Sequence, residues 1–205
     1  MQEKPKSDTA EKILEAARKE FGEFGLAGAR VDRIAKKAGV NKAMIYYHFD
    51  SKERLYRTVI DTHLKMLEEM VQNEIASVTE PEQVFRQFAH FYSVLFEQAH
   101  EFIPILLREA ISGGREIRNA LIEKNGFAPV EILRKALQKG REQGIFRDLD
   151  DDQVLASFVG MNLFYLMMSQ VGNHILEIED ETEFRNNRAE AVADLILNGI
   201  RKRSE

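Results

Sequence analysis

Apolar residues recur at spacings of three and four from one end of this 205-residue chain to the other, and no stretch sustains the period-two alternation of a half-buried strand. That single feature predicts an all-α protein. Ile13, Ala17, Phe21 and Phe24 form one such stripe, and Gly22, Gly25 and Gly28 close the first predicted helix, about Thr9 to Phe24. Short helices are expected at about Val31 to Ala38 and Asn41 to His48, separated by Gly39. A long one runs from about Lys52 to Ala76, then an aromatic-rich one begins at Pro81 with Phe85, Phe88, Phe91, Tyr92 and Phe96. Further helices are expected at about Phe102 to Ile111, Glu116 to Gln143, Asp151 to Val171 and Thr182 to Arg201, about nine in all. Pro129 implies a break in the seventh, near Gly126 to Ala128. Asp8 with Glu11, and Asp50 with Glu53, have the spacing of capping boxes.

Composition narrows the function classes. With no Cys there is no disulfide scaffold, thiolate metal site or cysteine nucleophile. Residues 1–12 are polar and lack the apolar run of a secretory leader, so the expected location is the cytoplasm. Residues 154–171 carry thirteen apolar residues, but also Ser157, Asn162, Ser169 and Gln170, each of which would need a partner in lipid. The expectation is a buried or subunit-facing helix and no membrane. Net charge is −5, yet residues 1–57 hold thirteen Lys and Arg against nine Asp and Glu. A basic head on an acidic body points to a polyanion-binding module joined to a second function.

Residues 31–56 carry the most information. Ile34, Ala38, Val40 and Ile45 supply the apolar faces that set one short helix across another, with Ala35 at the crossing and Gly39 at the turn. This spacing is that of a helix-turn-helix, whose second helix can enter a major groove by its N-terminal end. Asn41 and Lys42 sit at the tip of that helix; Tyr46, Tyr47 and His48 cluster at its far end, beside Lys52.

The ordered set I13-L-E-A-A17, F21-G-E-F-G25, I34-A-K-K-A-G-V40, I45-Y-Y-H-F49 and S51-K-E-R-L55 resembles the TetR family of bacterial transcription regulators. The resemblance implies an N-terminal three-helix DNA-binding domain over residues 8–57 and a larger helical ligand-binding and dimerisation domain over 58–205. It also implies roles. Asn41, Lys42, Ala43 and Met44 would approach base edges; Tyr46, Tyr47 and His48 would meet backbone phosphates, as would Lys52. Arg33 and Arg30 open the preceding helix, where phosphate or base contacts also occur. Many members have Gly-Thr or Pro-Thr where this chain has Ala43-Met44, and Arg30 stands where a capping Thr is common, so the operator sequence should differ.

Beyond residue 57 the resemblance implies a ligand cavity, for which Met66, Met70, Phe88, Phe91, Tyr92, Phe102, Leu106, Met161, Tyr165 and Met168 are the large, soft candidates, with Asn162 as a polar orienting group. The implied partners are an operator on double-stranded DNA, a small and largely apolar effector, and a second copy of the chain. Phe158, Ala189, Ala193, Ile196 and Ile200 are the expected dimer-interface residues. No metal or cofactor is expected: Asp148, Asp150 and Asp152 start like a calcium loop, but Gln153 and Val159 stand where it needs Gly and Glu. Two rivals remain at this point: a helical carrier or interaction protein without DNA binding, and a cofactor-free enzyme using Tyr92, His90 or Glu109 as acid–base groups.

Overall fold

The computed structural model describes residues 8–75, 77–98, 101–124 and 126–202, without the side chains of 96–98. The predicted helix end at Ala76 and the side chain of Phe96 fall outside them. Ten helices and no strand occur among the described residues: α1 (Asp8–Gly28), α2 (Val31–Ala38), α3 (Lys42–Phe49), α4 (Lys52–Ile75), α5 (Pro81–Gln98), α6 (Ile103–Ile111), α7 (Arg115–Glu123), α8 (Ala128–Glu142), α9 (Asp151–Ile175) and α10 (Glu181–Ile200). The tenth arises because the break at Pro129 is complete: Gly126 takes a φ of 123° and α8 starts afresh with Pro129 in its first turn. The boundary at residue 57 is not where the chain divides by compactness. One unit holds the described residues among 1–66 and 100–125, the other those among 67–99 and 126–205.

In the first unit, Ile13, Ala17 and Phe21 of α1, Ile34 of α2, Ile45 of α3 and Leu55, Tyr56 and Ile60 of α4 form one buried core. Phe21 meets the Tyr56 ring edge-on at 4.9 Å. Phe24, expected on the buried stripe, is 37% exposed, because α1 loses helical geometry one residue later at Gly25 (φ 66°, ψ 178°). Arg108 of α6 satisfies the carbonyls this leaves, donating to Gly22 O and Glu23 O at 3.3 and 2.8 Å. Next to it, buried Glu109 accepts from the Tyr56 hydroxyl at 2.9 Å and from the Glu116 N–H at 3.0 Å. Burial and this carboxylate both raise the Tyr56 pKa, so the phenol stays neutral.

Two cap expectations are corrected. Asp8 lies inside α1 and pairs with Lys12 at 2.6 Å. At α4 it is Ser51 that caps, its Oγ accepting from Arg54 N at 3.0 Å, while Asp50 leaves the helical region (φ 61°).

In the second unit α5 packs against α8, α9 and α10. Phe85 meets Phe158 at 5.2 Å and Phe146 at 6.1 Å, both edge-on. Gly140 is needed where Phe146 folds back: a Cβ there would stand 2.1 Å from the ring. Arg86 of α5 reaches Glu190 and Asp194 of α10, each at 2.6 Å. Asp150 caps α9 by accepting from Asp152 N and Gln153 N, so the aspartate run serves a helix end.

The expected dimer-interface residues lie inward in the single chain. Phe158 and Ala193 are 0% exposed, and Ala189, Ile196 and Ile200 are buried too, all within the chain's own core. The apolar side that α9 turns outward is different: Phe164, Met168, Val171 and Ile175 at spacings of four, three and four, with 66%, 39%, 52% and 70% exposure. Among the described residues α9 is the one helix long and apolar enough to cross a membrane. Its apolarity divides between an inward face, interrupted by buried Asn162, Ser169 and Asn173, and this outward stripe.

Candidate functional site

The helix-turn-helix forms as its spacing requires. Gly39 takes the left-handed conformation (φ 67°, ψ 30°) and stops α2. The Val40 N–H returns to Ala35 O at 3.0 Å, turning the chain toward α3. Asn41 then caps α3: its Oδ1 accepts from Met44 N at 3.0 Å. Ile45 and Phe49 face inward, so the opposite side of α3 is left to solvent.

That outer side carries Asn41, Lys42, Ala43, Tyr46 and Tyr47, all exposed, with Met44 and His48 half-buried beside them. Tyr47 is 71% exposed, an unusual position for an aromatic without a partner surface. Its ring meets His48 edge-on at 5.2 Å. The His48 Nε2 is buried without a hydrogen-bond partner among the described residues. The Lys42 amine lies 3.0 Å from Asp32, which raises its pKa; both groups are well exposed, so a phosphate can outcompete this pair. Lys52 is half-buried and donates to Ala29 O at 3.3 Å, consistent with a lysine that fastens the module and keeps other N–H donors for a phosphate.

Arg30 and Arg33 part company. Arg30 is exposed at the N-cap of α2. Arg33 instead serves the scaffold: its Nε donates to Glu20 at 2.5 Å, an Nη to Gly28 O at 3.0 Å, and its guanidinium lies 4.1 Å from the Phe24 ring centre. These contacts hold most of the Arg33 donors, while the side chain stays 35% exposed.

Glu20 is the residue that pattern-reading missed. It is 0% exposed and accepts from Arg30 N at 3.1 Å, from Arg33, and from Lys37 at 3.2 Å. Burial pushes its carboxyl up, but these three donors outweigh burial and hold it below the ordinary value of 4.5. The carboxylate thus fixes the start of α2 and turns two cations of the basic head inward. The available signal was its spacing: Glu20 lies three or four residues from Ala16, Ala17 and Phe24.

The expected ligand residues are only partly brought together. Tyr92, Asn162 and Tyr165 line one cavity of about 20 Å³ with Ala89, Ser93, Leu166, Arg185, Arg188 and Ala189. Phe88 and Phe91 are core, Met161 is half-buried, Met70 is half-buried and Met168 is 39% exposed; none of them lines it. Met66, Phe102 and Leu106 belong to the first unit, where Phe102 stacks flat on His63 at 4.4 Å. The cavity has room for about one water, far below the ~300–1,000 Å³ of a drug-sized site, so a guest of that size would have to open it. Arg185 and Arg188 were also missed. They continue the buried stripe of Ala189, Val192, Ala193 and Ile196 one turn toward the N-terminus of α10, a pattern legible in the sequence. Of the groups the enzyme rival names, Glu109 has both oxygens engaged, His90 is exposed and Tyr92 lines the cavity, so the three are not brought together.

Comparison with known proteins agrees with this arrangement. The family model for bacterial regulatory proteins of the tetR family matches residues 13–59. The one for the tetracyclin repressor-like C-terminal domain matches residues 81–196. The HTH-type transcriptional repressor NicS of Pseudomonas putida is 30% identical over 201 residues, 95% of this chain and 93% of its own. The HTH-type transcriptional repressor SCO4008 of Streptomyces coelicolor is 30% identical over 142 residues, 68% of each chain. The fatty acid degradation regulator FadR of Bacillus halodurans has the same fold, with a TM-score of 0.74 at 21% identity, covering 98% of this chain and 100% of its own. The outward face of α3, the helical second unit and these matches agree: the chain belongs to the TetR family of DNA-binding, ligand-responsive transcription regulators.

Proposed function

We propose that the chain is a cytoplasmic repressor that binds a palindromic operator as a homodimer and is released by a small effector with a largely apolar body. The observation that carries this reading is the exposed, polar and aromatic outer face of α3 on a head fastened by Glu20, Arg33 and Lys52. A single short helix contacts few base pairs, so useful affinity needs two heads on half-sites about one helical turn apart. The apolar stripe of α9 supports pairing of two copies: four large side chains turned to water at helical spacing form a seam that a second copy can cover. Release follows if effector binding in the second unit changes the packing of its helices, and with it the spacing of the two heads.

The test is selection of bound DNA from a genomic pool, followed by affinity measured against salt. A recovered inverted repeat and a steep salt dependence support the reading. Lys52→Ala should weaken binding to every sequence and reduce the salt slope by about one. Substitutions at Lys42 or Met44 should change which sequence is preferred. Recovery of no common sequence, or binding indifferent to salt, refutes it.

A further inference from the structure

The cavity in the second unit has an electrostatic character that a plain apolar pocket lacks. Two guanidinium groups, Arg185 and Arg188, line it, and no carboxylate does. This is notable in a chain with 34 acidic residues and net charge −5. Arg185 has neighbours of its own, Thr182 at 3.2 Å and Glu181 at 3.9 Å. Arg188 differs. Its guanidinium lies 4.6 Å from the Tyr165 ring centre, and an Nη donates to the Met161 carbonyl at 2.9 Å. Its Nε is buried with no hydrogen-bond partner, and among the described residues no carboxylate pairs with it. Burial lowers its pKa, yet an arginine keeps its proton at any physiological pH. The fold therefore holds a half-buried positive charge whose counter-charge is not supplied by the described residues.

A second orphan lies on the same side-chain chain. The Tyr165 hydroxyl donates to Asn173 Oδ1 at 3.2 Å, and the Nδ2 of that buried asparagine has no acceptor. Both unsatisfied atoms are donors. Of the two residues Arg188 alone lines the cavity; a neutral apolar guest would leave its Nε–H unsatisfied, and an acceptor-bearing anion would not.

We propose that Arg188 anchors an anion-recognition subsite in this cavity and that the effector carries a carboxylate. This rests on the reading that the second unit receives the effector. A guanidinium is a planar fork that pairs a planar carboxylate through two parallel N–H donors, and Nε–H is the unpaired member of that fork. The small volume suits a carboxylate better than a tetrahedral phosphate. Tyr165 fixes the guanidinium from behind, and the Tyr92 ring, Leu166, Ala89 and Ala189 offer the apolar remainder of the guest a surface. Entry of the carboxylate links α5, which carries Tyr92, with α9 and α10, which carry Tyr165 and Arg188. It thereby acts on the helix that bears the outward apolar stripe.

Formate is the smallest carboxylate and so asks the least opening of the cavity, and formamide is its neutral counterpart. Thermal unfolding of the full chain is followed with sodium formate, sodium chloride at equal ionic strength, or formamide. At about ten times its dissociation constant, formate should raise the midpoint by about 3–6 °C over chloride, and formamide should not. The difference should vanish in Arg188→Gln and persist in part in Arg188→Lys. Equal midpoints in formate and chloride overturn the proposal. So does a formate effect that survives in Arg188→Gln, which marks an adventitious ion only. Should Arg188→Gln not fold, formamide acting as well as formate on the unaltered chain overturns it alone. Retention of selected DNA is scored separately. A chain that retains DNA but ignores formate loses the subsite and keeps the regulator reading; one that retains no DNA yet shows the Arg188-dependent effect does the reverse.

Discussion

Replacing Glu20 tests how the reading head is held together. Glu20→Gln keeps the size and leaves one oxygen to accept from Arg30 N, now without charge assistance, a loss of about 1 kcal/mol. Arg33 and Lys37 are 35% and 42% exposed, so both can turn to water, and each lost ion pair counts on the surface scale of about 0.5 kcal/mol. The sum is about 1–2 kcal/mol. Glu20→Leu also strands the Arg30 N–H, which adds about 1–3 kcal/mol. For a chain of this size each kcal/mol lowers the midpoint by about 2–4 °C. Thermal unfolding by far-UV circular dichroism should therefore order the chains wild type, Gln, Leu, with Leu about 4–20 °C below wild type. The pH dependence has a definite sign. The folded carboxyl lies below its ordinary 4.5, so its contribution is present above that value and is lost as pH falls through the lower folded value. The wild-type advantage over Glu20→Gln should shrink in that acid window. A Glu20→Leu chain as stable as wild type at neutral pH would refute the assignment of Glu20 as the clamp of α2.

Gly140→Ala should destabilise by about 1–3 kcal/mol despite the better helix propensity, because its Cβ meets the buried Phe146 ring; urea unfolding reads this directly. His63 is buried between Val59 O and Phe102, near Arg18, Glu15 and Glu101, and burial lowers its pKa below 6.5. Stability is thus fully present above pH 6.5 and falls as pH drops toward the lower folded value, a slope that His63→Gln should remove in midpoint-against-pH curves. Ile175→Asp, on the outward stripe, should shift the chain from dimer to monomer in light scattering while leaving helix content unchanged.

Most of the head was legible because its information is local. Gly39, Asn41, Ile45 and Phe49 act within one or two turns of themselves, and spacing alone places them. The misses share a physical cause. Periodicity tells that α9 is apolar on two sides but not which side its own chain covers, so Phe158 is expected at an interface, Met168 of the outward stripe in a cavity, and Phe164, Val171 and Ile175 nowhere. Glu20, Arg33 and Arg188 are charged residues, and only tertiary partners reveal that they are partly or wholly inside. The packing of α6 against α1 through Arg108 joins residues more than eighty positions apart and leaves no periodic trace.

The stripe on α9 belongs to one unit and the reading helix α3 to the other. On the pairing proposed through that stripe, damage to α3 spares the means of pairing. Crippled subunits will mix with sound ones, and each hybrid will carry a single working reader. Such alleles should be dominant over the normal gene, whereas alleles that spoil the stripe should be recessive.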